Sequence, residues 1–378
     1  MYPCFNVTIR GITNMRSLIS RTMQALDKEL EEPPANAGMC IACDDSDTVV
    51  LIHGREPEPK PEILIVGCGE TGNSVINRLF HAGISGPRTM VIDHDRQTFD
   101  HCHASIPFLL SSSYFHSEDR RVQQGYPEIV TAAMENALPD LEKKIGTTDL
   151  CIVIADMSGD AGTGSAAAIA RLAKARGSTV AALVTLPTRL DISRYSHAKK
   201  ELEDLLQAAD TVYVLDISHL MKVLPGDLLV KYVYPTAVQV LADCVKNLYE
   251  RICTPSMINL EFVDVMRIIS KGGYGTILIG ETREQNFVES VSRDCRNNQM
   301  GDISHSAITG CIVFIEGYYC GLFYSDEIAI GISHGMDPHA MVIWGVHEDH
   351  EIPEGETRAY ALVSTGKKEI ISGAAQGR

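Results

Sequence analysis

Along most of the chain, short apolar runs take turns with stretches of helical period. EILIVG ends in glycine and precedes a helical stretch over residues 73–81. TMVIDHD follows, then a helix around 127–145, the run DLCIVIAD, more glycines, and a helix over 164–175. TVAALVTLP, a helix over 195–209 and TVYVLDIS complete the series. Strands that are apolar throughout, each followed by a helix, predict a parallel sheet covered on both faces. Residues 61–227 are therefore expected to form a doubly wound, Rossmann-like α/β domain. The stretch from Leu228 to Ile252 reads as one long helix, apolar on most faces, and such a helix is expected to lie buried between two units. The connection around it runs over 228–256. TILIGE, ITGCIVFIEG, MVIWGVHED and RAYALVSTG are strand-like, with helices over 264–269 and 284–296, so 257–370 is expected to be a C-terminal α+β domain. Residues 1–60 read as a small α/β extension: FNVTIRG as a strand, 18–30 as a helix, and MCIAC and TVVLIHG as a hairpin around the acidic turn DDSD. REPEPKPE is a stiff linker.

Charge narrows the partners. The net charge of −16 on 378 residues disfavours nucleic acid and anionic membrane. No run approaches the ~20 apolar residues that span a bilayer, and the N-terminus lacks a signal-peptide core, so direct membrane insertion is not expected and the expected location is the cytoplasm. The 11 cysteines, several inside apolar runs, fit reduced buried thiols. Cys40 and Cys43 form a CxxC that reads as two residues of a short strand, since a zinc site needs a second ligand pair.

Two glycine turns carry the chemistry. Gly67-Cys68-Gly69-Glu70-Thr71-Gly72, followed by Asn73, joins a strand to a helix. Glycines let the backbone turn tightly and approach a phosphate, and the helix start offers N–H groups. Asp93 lies about twenty residues on, where a dinucleotide enzyme holds a ribose. Alone, this turn fits an NAD domain or a turn that only permits close packing. The second turn, Gly159-Asp160-Ala161-Gly162-Thr163-Gly164-Ser165, follows DLCIVIAD and shifts the reading to a triphosphate held by two helix N-termini. It is not a Walker loop, having no GK[ST]. Asn259, Glu261 and Asp264 place three polar groups in six residues at a helix start, where a capping role is also natural. Asp93, His94 and Asp95 with Asp100, His101, Cys102 and His103 gather metal-capable side chains, although loop residues of this kind are usually just solvated.

These motifs together resemble the FtsZ/tubulin family, archaeal FtsZ above all, from about Ile63 to Gly366. GCGETGN resembles the family's first glycine loop, TMVIDHDRQ its AINTDAQ, and SGDAGTGSAA its GGGTGTGSAP. INLEFVDV resembles the catalytic loop INVDFADV, and DPHAMVIWG and LVSTG resemble DPNANIIWG and IATG. The resemblance implies GTP or GDP on the glycine loops, with Mg²⁺ compatible. It implies a head-to-tail homopolymer in which Asn259, Glu261 and Asp264 reach the next subunit's nucleotide and orient a water. Hydrolysis would then follow assembly, and cell division is the suggested setting. Other FtsZ-family subunits or a membrane anchor are further partners that the resemblance leaves open.

The departures bear on the same site. Glu70 stands where the family has glycine, and Ser158, Asp160 and Ala161 replace Gly, Gly and Thr, with Asp156 just before them. Carboxylates beside a triphosphate repel it unless a cation bridges them, so Glu70, Asp156 or Asp160 becomes a Mg²⁺ candidate, Glu70 and Asp160 foremost. The alternative is lost triphosphate affinity. The GAGGNP loop becomes Gln123-Gln124-Gly125-Tyr126-Pro127. The two guanine-reading positions fall on Ile217 and Val238, with Asp216 adjacent to the first. Tyr234 keeps the stacking aromatic, and Asp191 and Arg194 resemble ribose and phosphate contacts. A divergent filament protein that does not hydrolyse, with altered nucleotide specificity, is the competing expectation.

Overall fold

The structure, a computed structural model, describes residues 16–30, 60–84, 86–115, 127–253, 258–282, 287–318, 321–349 and 352–367. FNVTIRG, the hairpin around DDSD, Cys40 and Cys43, most of the Pro-rich linker and Gln123-Gln124-Gly125-Tyr126 lie outside them.

The first half is α1 (Arg16–Leu30), β1 (Ile63–Cys68), α2 (Gly69–His81), β2 (Arg88–Asp93), α3 (Arg96–Asp100), β3 (Ile106–Leu109), α4 (Pro127–Ile145), β4 (Leu150–Asp156), α5 (Asp160–Ala175), β5 (Thr179–Leu186), α6 (Ile192–Ala208), β6 (Thr211–Asp216) and α7 (Ile217–Val223). The second is α8 (Val233–Cys253), α9 (Phe262–Ile269), β7 (Gly273–Thr282), α10 (Phe287–Asn297), β8 (Gly310–Gly317), α11 (Leu322–Ser333), β9 (Met341–Glu348) and β10 (Thr357–Ser364).

The first six strands are parallel, in the order β3-β2-β1-β4-β5-β6. From β1 the chain winds outward through β2 and β3, then returns to β4 on the other side. The strand order therefore reverses between β1 and β4, the position at which open α/β sheets bind ligands. Both faces of β1 are buried: Ile63 and Ile65 enter the core that α8 fills with Leu241 and Val245, while Leu64 and Val66 enter the core under α4 and α5. That explains the unbroken apolar runs.

The sheet does not stop there. β6 pairs with β7 over four residues, Thr211 to Val214 against Gly273 to Thr276, and the order continues β7-β10-β8-β9. β10 runs antiparallel to both neighbours. The second unit is α+β, as expected, but on a shared ten-stranded sheet. α8 is buried along most of its length and packs on α1, α2 and α7. It begins five residues later than the sequence pattern suggests. Pro235 sits in its first turn, and a residue before proline resists helix, so a single turn at Val230–Tyr232 precedes it.

One further expectation is corrected, one helix was not foreseen and one predicted helix gains a packing partner. TVYVLDIS is not one strand, because the Asp216 carboxylate accepts the N–H of Ser218 at 2.8 Å and starts α7. α11 escaped the pattern because Leu322, Phe323 and Ile330 are exposed, which blurs its amphipathic signal. The helix expected in the N-terminal extension is joined to the core: Leu18 is fully buried, Ser17 binds Glu281, and Arg21 reaches Asp243 and the Tyr360 hydroxyl.

Candidate functional site

Both glycine turns stand at the switch point, one after β1 and one after β4. An added Cβ at Gly67 would lie 2.5 Å from Gly72 O, so these two glycines bring strand and helix into contact. Gly69 has φ +70, and its added Cβ would lie 2.9 Å from Gly162 N, so the first turn rests directly on the second. Gly164 packs α5 against Val130 of α4. Gly159 alone among the second turn's glycines faces room, with Asp156 O its nearest neighbour at 3.9 Å. Gly72, Gly162 and Gly164 thus have packing roles that a ligand-contact reading did not foresee. Ala161, Thr163 and Ser165 are buried in the first turns of α5, where Ser165 Oγ donates to Ala161 O.

Between the turns lies a cleft of about 190 Å³. Its floor holds Asp156, whose Oδ1 accepts from Ser158 N at 3.1 Å and Thr185 Oγ1 at 2.8 Å, and whose Oδ2 accepts from Ser158 Oγ. Asp156 is therefore a loop-shaping residue with both oxygens engaged. Asp160 Oδ1 accepts from Ala161 N at 2.8 Å, and its Oδ2 lies 3.0 Å from His94 Nε2. The bond to His94 holds the Asp160 carboxyl below its usual range, and the same bond raises the imidazole. Burial pushes the Asp93 carboxyl up, although Asp95 N donates to it at 3.0 Å. Asp95 caps α3 through Gln97 N. Glu70 and Thr71 complete the rim. Asn73 Nδ2 donates to Thr98 O at 2.6 Å, while its Oδ1 is buried without a partner among the described residues. An orphaned acceptor is costly and suits a ligand N–H.

Around this cleft the other expected contacts divide. Asp191 caps α6 through Arg194 N at 3.0 Å, and Arg194 Nε lies 3.8 Å from Asp191 Oδ2. Tyr234, 40% exposed at the start of α8, has its hydroxyl pKa raised by burial and by the charge of Asp156, with Arg194 and Asp191 also acting on it. Asp216 does not join them. Its Oδ2 accepts from Arg189 Nε at 3.0 Å and Nη2 at 2.8 Å and from the Tyr195 hydroxyl at 3.0 Å. The carboxylate is spent on the junction with the second unit, where Arg189 also bonds Asp302 at 2.6 Å and His219 bonds Asp302 at 3.0 Å. Ile217 is fully buried and Val238 nearly so, which leaves no polar edge at either base-reading position.

Metal-capable atoms do not converge over residues 93–103, in line with the solvated-loop reading of that stretch. His103 Nδ1 bonds Asn77 Oδ1 at 3.1 Å, and His94 is taken by Asp160. Among the described residues they gather at Asp216, His219 and Asp302, and there the Arg189 guanidinium already touches all three. Sequence reasoning missed Arg189, Tyr195 and Asp302 altogether. Arg189 and Asp302 are 113 residues apart, so no local signal announces them. Asp160, with both oxygens engaged, is also a poor Mg²⁺ ligand. Glu70 is the better candidate of the expected pair, and the hard-oxygen donors around it suit that ion.

Asn259, Glu261 and Asp264 lie at the opposite end of the sheet. Leu260 N donates to Arg251 O at 3.0 Å near the end of α8, that helix end reaches Gly86 just before β2 through the Tyr249 hydroxyl, and α9 leads into Gly273 beside Thr211 at the start of β6, whereas the glycine turns follow strand ends. One strand length, about 20 Å, separates the two levels. Asn259 and Glu261 are exposed. Glu261 occupies the cap position of α9 without a side-chain bond to the first turn, and Asp264 pairs with Arg267 at 2.8 Å. Capping alone therefore does not explain the two acids.

Comparison with known proteins agrees with this geometry. Residues 62–225 match the model of the Tubulin/FtsZ family, GTPase domain. Cell division protein FtsZ 2 of Methanocaldococcus jannaschii is 33% identical over 332 residues, covering 87% of this chain and 86% of the relative. An FtsZ dimer from M. jannaschii is similar with a TM-score of 0.73 and 28% identity over 81% of this chain and 88% of that one. A GTPγS-bound protofilament of CetZ2 from Haloferax volcanii shares the fold, with a TM-score of 0.63 at 16% identity over 80% of this chain and 92% of that one. With two glycine turns meeting at the switch point, and a relative one-third identical along most of its length, the chain belongs to the FtsZ/tubulin family.

Proposed function

We propose that this chain is a cytoskeletal GTPase that assembles head to tail and hydrolyses GTP where one subunit's α9 loop meets the next subunit's cleft. The observation that carries the reading is the separation of the two half-sites. The glycine turns lie at one end of the sheet, while Glu261 and Asp264 stand at the other, too far to serve their own cleft. A contact joining unlike ends does not close, so it propagates as a filament. The dimer and protofilament forms of the similar structures fit this mode of self-association. The N-termini of α2 and α5 would receive the phosphates through backbone N–H groups. Glu261 and Asp264 would orient the attacking water, work that is positioning and electrostatics rather than covalent chemistry. Glu70 would hold Mg²⁺, which supplies positive charge between the phosphates and this acidic rim when bound. The seven described cysteines are free thiols, which fits the reducing cytoplasm. By analogy with the FtsZ relatives, cell division is the process proposed.

A second reading has its own support. Asp216 turned away, and Ile217 and Val238 buried, remove the hydrogen bonds that would select guanine, and carboxylates crowd the phosphate site. On that reading the chain is a filament protein with weak or no hydrolysis. Phosphate release by the purified protein with GTP and Mg²⁺ decides between them. The first reading expects release that rises with protein concentration, because the site forms on assembly, and a loss of roughly 100-fold or more in Glu261→Ala plus Asp264→Ala. Intact protein that releases no more phosphate than this double variant sinks it.

A further inference from the structure

Among the described residues that line the cleft are five carboxylates, Glu70, Asp93, Asp95, Asp156 and Asp160, and one nitrogen-bearing side chain, that of His94. His94 is placed by the end of β2, Asp160 by the first turn of α5, and the two meet at 3.0 Å across 66 residues of chain. Both are about four-fifths buried in their side chains, at 17% and 22% exposed. Asp160 is the acid with the most direct bearing on a phosphate. It sits at the N-terminus of α5, and its own carboxylate takes the Ala161 N–H, a donor of the kind that anions seek at a helix start. The remaining acids have other fates: Asp156 is bound within its loop, Asp95 caps α3, Asp93 faces Asp95 N, and Glu70 stands on the rim.

Building on the GTP reading above, we propose that His94 is a positioning residue for nucleotide binding: it fixes Asp160 Oδ2 while Oδ1 stays on Ala161 N, so that the carboxylate does not turn onto the rest of the α5 terminus, where a phosphate would be received. Without the ring, Oδ2 of Asp160 loses its partner and is free to turn toward the position a phosphate must take, and the two repel in a partly desolvated site. The pair is also what permits aspartate at a turn whose backbone otherwise suits an anion. It makes the departure in the second glycine turn and the histidine after β2 two halves of one adjustment.

A double-mutant cycle read as affinity for a fluorescent GTP analogue, in Mg²⁺ and at fixed pH, tests this. His94→Ala is expected to weaken binding roughly tenfold, and adding Asp160→Asn to it to bring affinity back within about threefold of the intact protein. Asp160→Asn alone should bind as well as the intact protein or better. A purely structural role for His94 would lower the melting temperature without this rescue of affinity, so melting is followed in the same four proteins. Unchanged affinity in His94→Ala, failure of the second substitution to rescue, or weaker binding by Asp160→Asn alone each overturns the inference. Absence of binding by the intact protein overturns the GTP reading itself, and this inference with it.

Discussion

Glycines of the same motif do different work here, and the difference is steric. At Gly162 an added Cβ would lie 2.6 Å from Asp156 O and 3.1 Å from Asp156 N, against backbone that cannot swing aside, whereas at Gly159 it would meet nothing nearer than 3.9 Å. Gly162→Ala is therefore expected to cost about 1–3 kcal/mol and to lower the melting temperature by several degrees. Gly159→Ala should leave melting unchanged while touching nucleotide affinity. Equal melting of the two variants would show that the tight turn yields and that the packing account is wrong. The positions of both turns were legible in the sequence because glycine between an apolar strand and a helix has few other uses. What each glycine touches was not legible, because Gly162 meets Gly69 only once two strands lie side by side. The same holds for Asp160. Its carboxylate looked like a metal ligand beside glycines, and its partner His94 is supplied by another strand.

Among elements, most helices and strands of the parallel half were recovered from period, since burial on both faces leaves continuous apolar runs, whereas the short α3 and the edge strand β3, only partly buried, were not. The failures have common causes: α7 starts where a side chain, Asp216, caps it inside an apparent strand, and α11 leaves Leu322, Phe323 and Ile330 in solvent. The staple between the halves was invisible for another reason. Arg189 before α6, His219 in α7 and Asp302 after α10 are brought together only by tertiary packing. This staple has a pH signature. The hydrogen bond from His219, then the hydrogen bond and charge of Arg189, hold the Asp302 carboxyl down at about 2 in the folded chain. A group whose folded pKa lies below its unfolded value stabilises fully above the unfolded value, near 4, and loses that contribution as pH falls from about 4 toward 2. Asp302→Asn should therefore flatten the acid limb of melting temperature against pH in that window, by about 1–2 kcal/mol once partial exposure is allowed for. Acid limbs that superimpose would mean the staple carries no net stability.

For the whole molecule, the arrangement that matters is polarity. On the proposed function, a sheet with phosphate-binding turns at one end and a water-orienting pair at the other would have two unlike faces, and activity would be a property of the contact between molecules. This can be separated from hydrolysis within one chain by mixing two disabled proteins. Glu261→Ala plus Asp264→Ala keeps the cleft and loses the donated pair. Gly159→Glu fills the open side of the cleft while leaving α9 intact, and the room around Gly159 lets the fold accept it. Each alone is expected to release no phosphate. In an equimolar random mixture roughly a quarter of the junctions join a sound cleft to a sound loop, so release should return to a measurable fraction of the intact rate. Restoration also requires that the two proteins share filaments, which co-sedimentation of differently tagged chains records. Co-sedimenting mixtures that stay silent would place both halves of the reaction in a single molecule, against the 20 Å that one strand length puts between them.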